Sequence, residues 1–454
     1  MRGTVALIYP YFRTSAPVQQ LFPPLGIASL ASQMKVLGVD ARQHDCTFMT
    51  IDDVVRDVAG QQADIVGIYV MATLSRPAFR LLERIEDALP DALTVAGGPL
   101  PTLYPERFAE RFDLVFQGEA DLSFPAFCKD HIDHGKGTAR SMDLSRYPGL
   151  CRYDRGTLLS NHKPTLSQEE YDALPLPDRS EADHSAYQKF WMEGARKKMT
   201  TLMTTRGCPY DCDFCSKPIF GKRFRKRSIG RIMEEVRDIA RLGYDHIWIA
   251  DDSFTLDLGH AREFCEAMIG SGLGLKWSCL SRVDPIDRDL IGLMAEAGCD
   301  KVYLGLESGS NDTLRLMNKR TTVEEGIGAV HLFHQCGIKV GAFFLVGYPG
   351  ETVGSVESTF SLALSLPLDE ISFNVPYPLP GSALHSRVEL LATDDDWDIE
   401  NDVRFLYRSE FDEGWLKARI SETRGRFNEC RRISTEAPST PPADRDRQIA
   451  GNAL

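Results

Sequence analysis

Along its first 135 or so residues the chain alternates short unbroken apolar runs with segments of helical periodicity. TVALIYP (4–10) is apolar almost throughout, as a strand buried on both faces of a parallel sheet must be. LGIASLASQMKVLG (25–38) spaces its apolar residues at helical intervals and ends on glycine, a helix followed by its stop signal. ARQHDCT (41–47) is a second strand candidate, IDDVVRDVAGQQ (51–62) a helix and ADIVGIYVM (63–71) a third strand. ALTVAGGPLPT (92–102) is a strand running into a glycine-rich loop, and DLVFQGEAD (113–121) is a fifth strand followed by a helix. The pattern predicts a doubly wound, Rossmann-like α/β domain over 1–140, which binds ligands at the carboxyl ends of its strands.

From 141 to 198 the alternation breaks. LCRYDRGTLLSN (150–161) reads as a hairpin, and YDALPLPDRS (171–180) as a proline-punctuated linker. A second α/β series follows over 199–385. MTTLMTTRG, HIWIADDSF, LKWSCLSRV, KVYLGLESGS, KVGAFFLVGYPGE and EISFNVPYP are its strands, with helical stretches between them. Six β/α units predict a partial (β/α)6 TIM-type barrel, with its reactive groups at the carboxyl ends of the strands. Cys208, Cys212, Cys215, Asp251, Asp252, Arg282, Glu307 and Gly347 to Glu351 fall there. A short, mainly helical region is expected over 386–433, then a Pro/Ser/Thr- and charge-rich tail over 434–454, expected to be disordered.

Composition narrows the function. With 454 residues, 43% hydrophobic and 26% charged, the chain is an ordinary globular one with room for two or three cores. A net charge of −13 argues against a general nucleic-acid binder. One basic run, FGKRFRKR (220–227), is either a solvated loop or a cationic edge near an anionic cofactor or substrate. Of the eleven cysteines, all but three stand singly and read as buried free thiols. The start, MRGTVALIYPYF, lacks a signal-peptide pattern, and no apolar run is long enough to span a membrane. A reducing cytoplasm is the expected setting.

The remaining three cysteines form RGCPYDCDFC (206–215), with the spacing C-x3-C-x2-C. A [4Fe–4S] cluster offers four irons for thiolate ligands. Three close thiolates without a fourth suggest a cluster with one iron open to a small molecule. Structural zinc prefers paired C-x2-C ligands, and the next cysteine, Cys265, stands alone some fifty residues on. Zinc and chance clustering remain the competing readings. Elsewhere, Asp251-Asp252-Ser253 alone would be a turn or helix cap. Arg282 and Glu307 could simply be an ion pair across the barrel mouth.

The cysteine run directly after a first barrel strand resembles the signature of the radical S-adenosylmethionine (SAM) enzymes. The resemblance implies that Cys208, Cys212 and Cys215 hold a [4Fe–4S] cluster, whose electron cleaves SAM to a 5′-deoxyadenosyl radical. It implies further SAM contacts from Phe214 (adenine), Asp251, Asp252 and Ser253 (amino group), Arg282 and Glu307 (carboxylate and ribose) and Gly347 (adenine side). FPPLGIASLAS (22–32), AGGPLPTLYPE (96–106) and FQGEAD (116–121) resemble the cobalamin-binding domains that precede the barrel in one subgroup. Pro24, Leu25, Gly26, Thr73, Gly97, Gly98, Gly118 and Glu119 are then the expected cobalamin contacts. Many cobalamin domains carry a lower-axial histidine in D-x-H-x-x-G. At the position expected here, after the second strand, the chain reads Asp45-Cys46-Thr47, so cobalamin without a histidine ligand is implied. His44 is out of register and is expected to be a strand-end surface residue.

The function implied is cobalamin-dependent radical SAM methylation of an unactivated carbon. The flavour is that of secondary-metabolite and antibiotic biosynthesis, similar to the aminocoumarin pyrrole C-methyltransferases. A cyclase or rearrangement enzyme without methyl transfer, and a cobalamin/Fe–S sensor, are the alternatives. Expected partners are a small-molecule substrate between the two domains, carrier-protein-bound or glycosylated in some forms, and a reductant such as flavodoxin or ferredoxin.

Overall fold

The structure is a computed structural model describing residues 3–13, 20–134, 143–217, 219–284, 286–391 and 403–436. Two sheets organise it. The first has seven strands: β1 (Thr4–Tyr9), β2 (Asp40–Asp45), β3 (Ile65–Tyr69), β4 (Leu93–Gly97), β5 (Leu114–Phe116), β6 (Leu150–Asp154) and β7 (Thr157–Ser160), in the order β2-β1-β3-β4-β5-β6-β7. The first five are parallel, and the reversal of direction about β1 is the switch-point topology of doubly wound folds. Alternate residues of β1 feed opposite layers. Ala6 and Ile8 pack with Val54, Val58, Leu81 and Ile85, whereas Val5 and Leu7 pack with Ile27, Met34 and Phe127. This two-sided burial explains the unbroken apolar run.

The hairpin β6–β7 continues the first sheet, since β6 pairs antiparallel with β5. The stretch that follows holds two helices besides. Gln168–Ala173 starts with a Ser167/Glu170 capping box, and His184–Ala195 starts with Asp183 accepting from Ala186 N–H. Trp191 and Tyr187 of the second helix are buried against the first sheet's loops. Trp191 Nε1 donates to the Leu21 carbonyl at 2.7 Å.

The second sheet consists of β8 (Met199–Leu202), β11 (His246–Ile249), β12 (Lys276–Ser281), β13 (Cys299–Glu307), β14 (Lys339–Leu345) and β15 (Glu370–Asn374). All are parallel and in sequence order. This is the six-stranded partial barrel, wrapped around one core of some forty apolar side chains from Leu202 to Phe427. A two-stranded ribbon, β9 (Thr205–Arg206) with β10 (Arg225–Lys226), stands just beyond β8. The helix Glu413–Glu436 packs Leu416, Ile420 and Phe427 into the barrel core. Residues 437–454 of the expected disordered tail lie outside the described residues. No described helix is long and apolar enough to cross a membrane.

No disulfide joins any of the eleven cysteines. The expectation of burial for the eight outside the motif fails at two. Cys430 is exposed, on the outer face of the helix Glu413–Glu436, and Cys336 is half-buried at the C-cap of the helix Val323–Gln335.

Candidate functional site: the cysteine loop and the facing strand ends

β8 delivers the chain to the barrel mouth, and the ribbon β9–β10 then closes residues 207–224 into a loop. Arg206 lies directly opposite Arg225, and Thr205 opposite Lys226. Gly207 turns the chain with φ of 84°, and a Cβ there would collide with the Arg223 carbonyl oxygen. Inside the loop, Cys208 N–H donates to Gly221 O at 3.2 Å and Cys215 N–H to Cys212 O at 3.0 Å. Lys217 Nζ donates to the carbonyls of Cys208 and Tyr210. The barrel holds the loop from outside through Asp213 N–H to Met317 O at 2.9 Å and Asn318 Nδ2 to Asp211 O at 2.6 Å. Phe214 packs with Met317, Tyr348 and Leu384.

Cys215 is exposed, and Cys208 and Cys212 are half-buried. Desolvation raises the Cys215 thiol to about 11 and moves Cys208 the same way, with the Asp252 charge adding to both. Among the described residues no three His, Cys, Asp or Glu side chains converge on a single ion. Three thiols on one loop, none in a disulfide, are the donor set that an iron–sulfur cluster takes.

The neighbouring mouth residues divide by task. Asp251 is 1% exposed and accepts from Thr204 N–H at 2.6 Å, Thr205 N–H at 2.9 Å and the Thr204 hydroxyl. Burial raises its carboxyl to about 6 against the pull of these donors. It fixes the approach to the cysteine loop by holding the chain at Thr204 and Thr205, a long-range tie rather than a turn or helix cap. Asp252, one residue on, is exposed. Ser253 Oγ accepts from Arg282 N–H at 3.1 Å. Arg282 and Glu307 do not pair with each other. The Arg282 guanidinium stacks 3.6 Å from the Tyr210 ring centroid, is held by Asp284 at 2.9 Å and Lys319 O at 2.8 Å, and brings Nη1 to 3.7 Å from Cys212 Sγ. Glu307 pairs with Lys319 at 2.7 Å, both buried. Gly305 makes room for that pair, because a Cβ there would come within 2.6 Å of Glu307 Oε1 and 2.8 Å of Lys319 Nζ.

Gly347 has φ of 78°, and the face a Cβ would occupy is filled by Phe405 at 2.7 Å and Leu416 at 3.1 Å. Its N–H donates to Glu351 Oε2 at 2.9 Å and its carbonyl accepts from Tyr407 Oη at 2.7 Å. The glycine therefore admits the C-terminal segment against the fifth barrel strand.

On the first sheet, Pro24, Leu25, Gly26, Thr73, Gly97 and Gly98 lie at or past the carboxyl ends of β1, β3 and β4, all exposed or half-buried. The helix Leu25–Val36 begins there with no side-chain cap, leaving its first N–H groups open. A Cβ on Gly26 would meet nothing nearer than Tyr69 at 3.9 Å. Small residues, uncapped N–H groups and the Tyr9–Tyr69 ring pair, 5.6 Å apart, fit a broad, partly apolar ligand such as a corrin. Gly118 and Glu119 are instead buried. Glu119 accepts from Arg206 Nη1 at 3.2 Å and Leu166 N–H at 2.9 Å, and pairs with Arg225.

His44 is not a surface residue. It is 8% exposed, with Nε2 3.0 Å from Gln61 Oε1, because the helix ending at Gln61 covers the end of β2. Thr47, in the place of the expected histidine, is bound with Asp45 and Tyr187. Tyr187 Oη donates to Asp45 Oδ2 at 2.6 Å and lies 3.0 Å from Thr47 Oγ1.

The basic run is neither wholly solvated nor free. Arg225 and Arg227 are buried, while Lys222 pairs with Asp211 at the surface. Sequence reasoning missed Arg206, Tyr210 and Lys319. Arg206 stands within the quoted cysteine run, two residues before Cys208, and that proximity was the available signal.

A family profile described as Radical SAM superfamily matches residues 202–363, and one described as B12 binding domain matches 14–128. An uncharacterized methyltransferase of Pyrococcus horikoshii is 31% identical over 371 residues, which span 80% of this chain and 77% of that one. An anaerobic magnesium-protoporphyrin IX monomethyl ester cyclase of Rubrivivax gelatinosus is 27% identical over 465 residues, 98% of this chain and 81% of that one. The cobalamin-dependent S-adenosylmethionine radical enzyme OxsB, solved with aqua-cobalamin and SAM, shares the fold. Its TM-score is 0.68 at 22% identity, over 80% of this chain. This chain spans only about half of that one, 52%. With the cysteine loop at the mouth of a six-stranded parallel barrel and a B12-type sheet in front of it, the chain belongs to the cobalamin-dependent radical SAM enzymes.

Proposed function

We propose that the protein is a cobalamin-dependent radical SAM methyltransferase that methylates an unactivated carbon of a small molecule, in secondary-metabolite biosynthesis. The observation that carries this is the joining of two carboxyl edges. The loop bearing Cys208, Cys212 and Cys215 is tied through Arg206 to Glu119, at the carboxyl end of β5. Reactive groups at both edges then share one space, and the substrate belongs between them. When bound, the cluster and SAM supply a radical and cobalamin supplies a methyl group. The chain's own part is to hold and exclude. Cys208, Cys212 and Cys215 ligate the cluster, Arg282 presents a cation beside Cys212, and Asp252 offers an exposed carboxylate to an ammonium group. Phe214, Glu307 and Lys319 line the same mouth, with Lys319 Nζ 5.9 Å from the Phe214 ring centroid. Pro24, Leu25, Gly26, Thr73, Gly97 and Gly98 form the cobalamin side.

A flavodoxin or ferredoxin in a reducing cytoplasm would supply electrons, consistent with a chain whose eleven cysteines form no disulfide. The more identical of the two relatives is named a methyltransferase, which favours methyl transfer over ring formation. The test is anaerobic reconstitution with SAM, cobalamin and reductant. Iron content, the corrin absorption band and 5′-deoxyadenosine are measured together, and the product is weighed. A gain of one methylene unit supports methylation, and loss of hydrogen or water supports the cyclase reading. Cluster and deoxyadenosine formation surviving Cys208→Ala, Cys212→Ala and Cys215→Ala would sink the proposal.

A further inference from the structure

The neck of the cysteine loop contains an arrangement that cannot hold by itself. Arg206 and Arg225 are directly opposed residues of the ribbon β9–β10, and both are buried. Like charges facing each other across two strands repel, and burial strengthens the repulsion. Thr205–Lys226 is the other residue pair of the ribbon, and Arg227 N–H donates to Thr204 O at 2.9 Å beside it, so the run of backbone hydrogen bonds there is short. What neutralises the pair comes from the other sheet. Glu119, at the end of β5, is 1% exposed and turns Oε1 to Arg206 at 3.2 Å and Oε2 to Arg225. Asp121 adds a two-pronged contact to Arg206, with both distances 3.0 Å. Among the described residues no second carboxylate is within ion-pair distance of Arg225, although Asp252 is near enough to feel its charge. The other acceptors of Arg225 are the carbonyls of Leu166, Phe220 and Arg223. The guanidinium of Arg206 is further sandwiched between Tyr171 and Phe220, each 4.8 Å away.

We propose that Glu119 is a positioning residue for the cysteine loop, and that its carboxylate, reaching across from the first sheet, closes the loop's neck by bridging two opposed arginines. The order of the three thiols therefore depends on docking of the first sheet against the barrel, and Glu119 is removed from the set of cobalamin contacts. Asp121 cannot substitute, because it reaches Arg206 and not Arg225.

The inference rests on this loop being the cluster site, but its test uses cluster-free protein and reads the neck whether or not iron loads. Alkylation by iodoacetamide is followed at each cysteine by peptide mass spectrometry, with exposed Cys430 as internal reference. In Glu119→Gln, Cys208 and Cys212 are expected to react about tenfold faster, as local opening allows, with Cys430 unchanged. Asp113→Asn is the control. It exchanges the carboxylate that accepts from Thr94 N–H and the Thr94 hydroxyl, at the other end of β5, for a neutral amide, and should leave the loop thiols at wild-type rates. The double variant Glu119→Gln/Arg225→Met removes the unneutralised charge while Arg206 keeps Asp121, and should return the rates toward wild type. A general loss of stability would instead make the double variant worse. Equal acceleration in Asp113→Asn, or no rescue by Arg225→Met, overturns the proposal. If Glu119→Gln does not fold, folding of the double variant is the rescue, and its failure to fold counts against the proposal equally.

Discussion

Arg282 Nη1 lies 3.7 Å from Cys212 Sγ, with the guanidinium flat against Tyr210. A cation fixed beside a thiolate ligand stabilises the more negative state of whatever the thiolate binds. Hydrogen bonds and charge at the sulfurs are among the factors that set a cluster's potential. Arg282→Met should therefore lower the potential of the reconstituted cluster by about 60 mV or more, equivalent to ~1.4 kcal/mol for one electron. An EPR-monitored redox titration gives the answer, and an unchanged potential would remove Arg282 from the cluster's surroundings.

Gly207→Ala tests the geometry of the loop's neck. Its φ of 84° and the proximity of the Arg223 carbonyl leave no relaxed place for a methyl group. Strained backbone and overpacking together should cost about 2–4 kcal/mol, confined to the loop. Iron bound per chain after reconstitution should fall steeply, while far-UV circular dichroism and the main thermal transition stay near wild type. Full iron loading would show that the ribbon need not close.

Glu351 predicts a pH effect. Oε2 accepts from Gly347 and Tyr348 N–H at 2.9 and 3.0 Å, while Oε1 is buried with no hydrogen-bond partner, so the group is suited to being protonated. Burial lifts its pKa from 4.5 to about 7. The folded state thus holds the proton more tightly than the unfolded one. The associated stability is complete below about pH 4.5 and is lost as pH rises through about 7. A shift of this size is worth about 3 kcal/mol. Glu351→Gln keeps the acceptor and removes the titration, so urea unfolding at pH 5 and pH 8 should show a smaller difference in the variant than in the wild type. Equal differences would refute it.

Tyr187→Phe removes the donor to Asp45 Oδ2 and the contact with Thr47 Oγ1. Loss of a hydrogen bond to this half-buried carboxylate costs about 2 kcal/mol. Burial already raises the Asp45 pKa, and losing Tyr187 raises it further. The penalty should be larger at pH 8 than at a pH acidic enough to protonate the carboxyl, which relieves it. Denaturant titrations at the two pH values test this, and a pH-independent penalty would show that Asp45 does not titrate with folding.

What the sequence discloses and what it hides follow from the range of the interactions. The buried strands were legible because two-sided burial demands continuous apolar runs such as 4–10 and 63–71, and the cysteine loop because its ligands are local. The ion pairs were not. Glu119 and Arg206 are 87 residues apart and Glu307 and Lys319 twelve, with no periodicity linking either pair. Asp251 and Asp252 looked interchangeable, yet one is buried beneath the approach to the loop and the other exposed. Helix Gln168–Ala173 was hidden by neighbouring prolines, although its Ser167–Glu170 capping box is written in the sequence.

Glu307 closes β13 in a left-handed backbone conformation, φ 62°, at a break in the strand register between Gly305 and Glu307. Such a position ordinarily favours glycine, and any other residue there costs about 1–3 kcal/mol. Glycine at 307 would relax the chain and delete the carboxylate. The fold instead keeps an acid where the main chain least tolerates a side chain, and this sets Glu307 apart from carboxylates whose loss the barrel would hardly register.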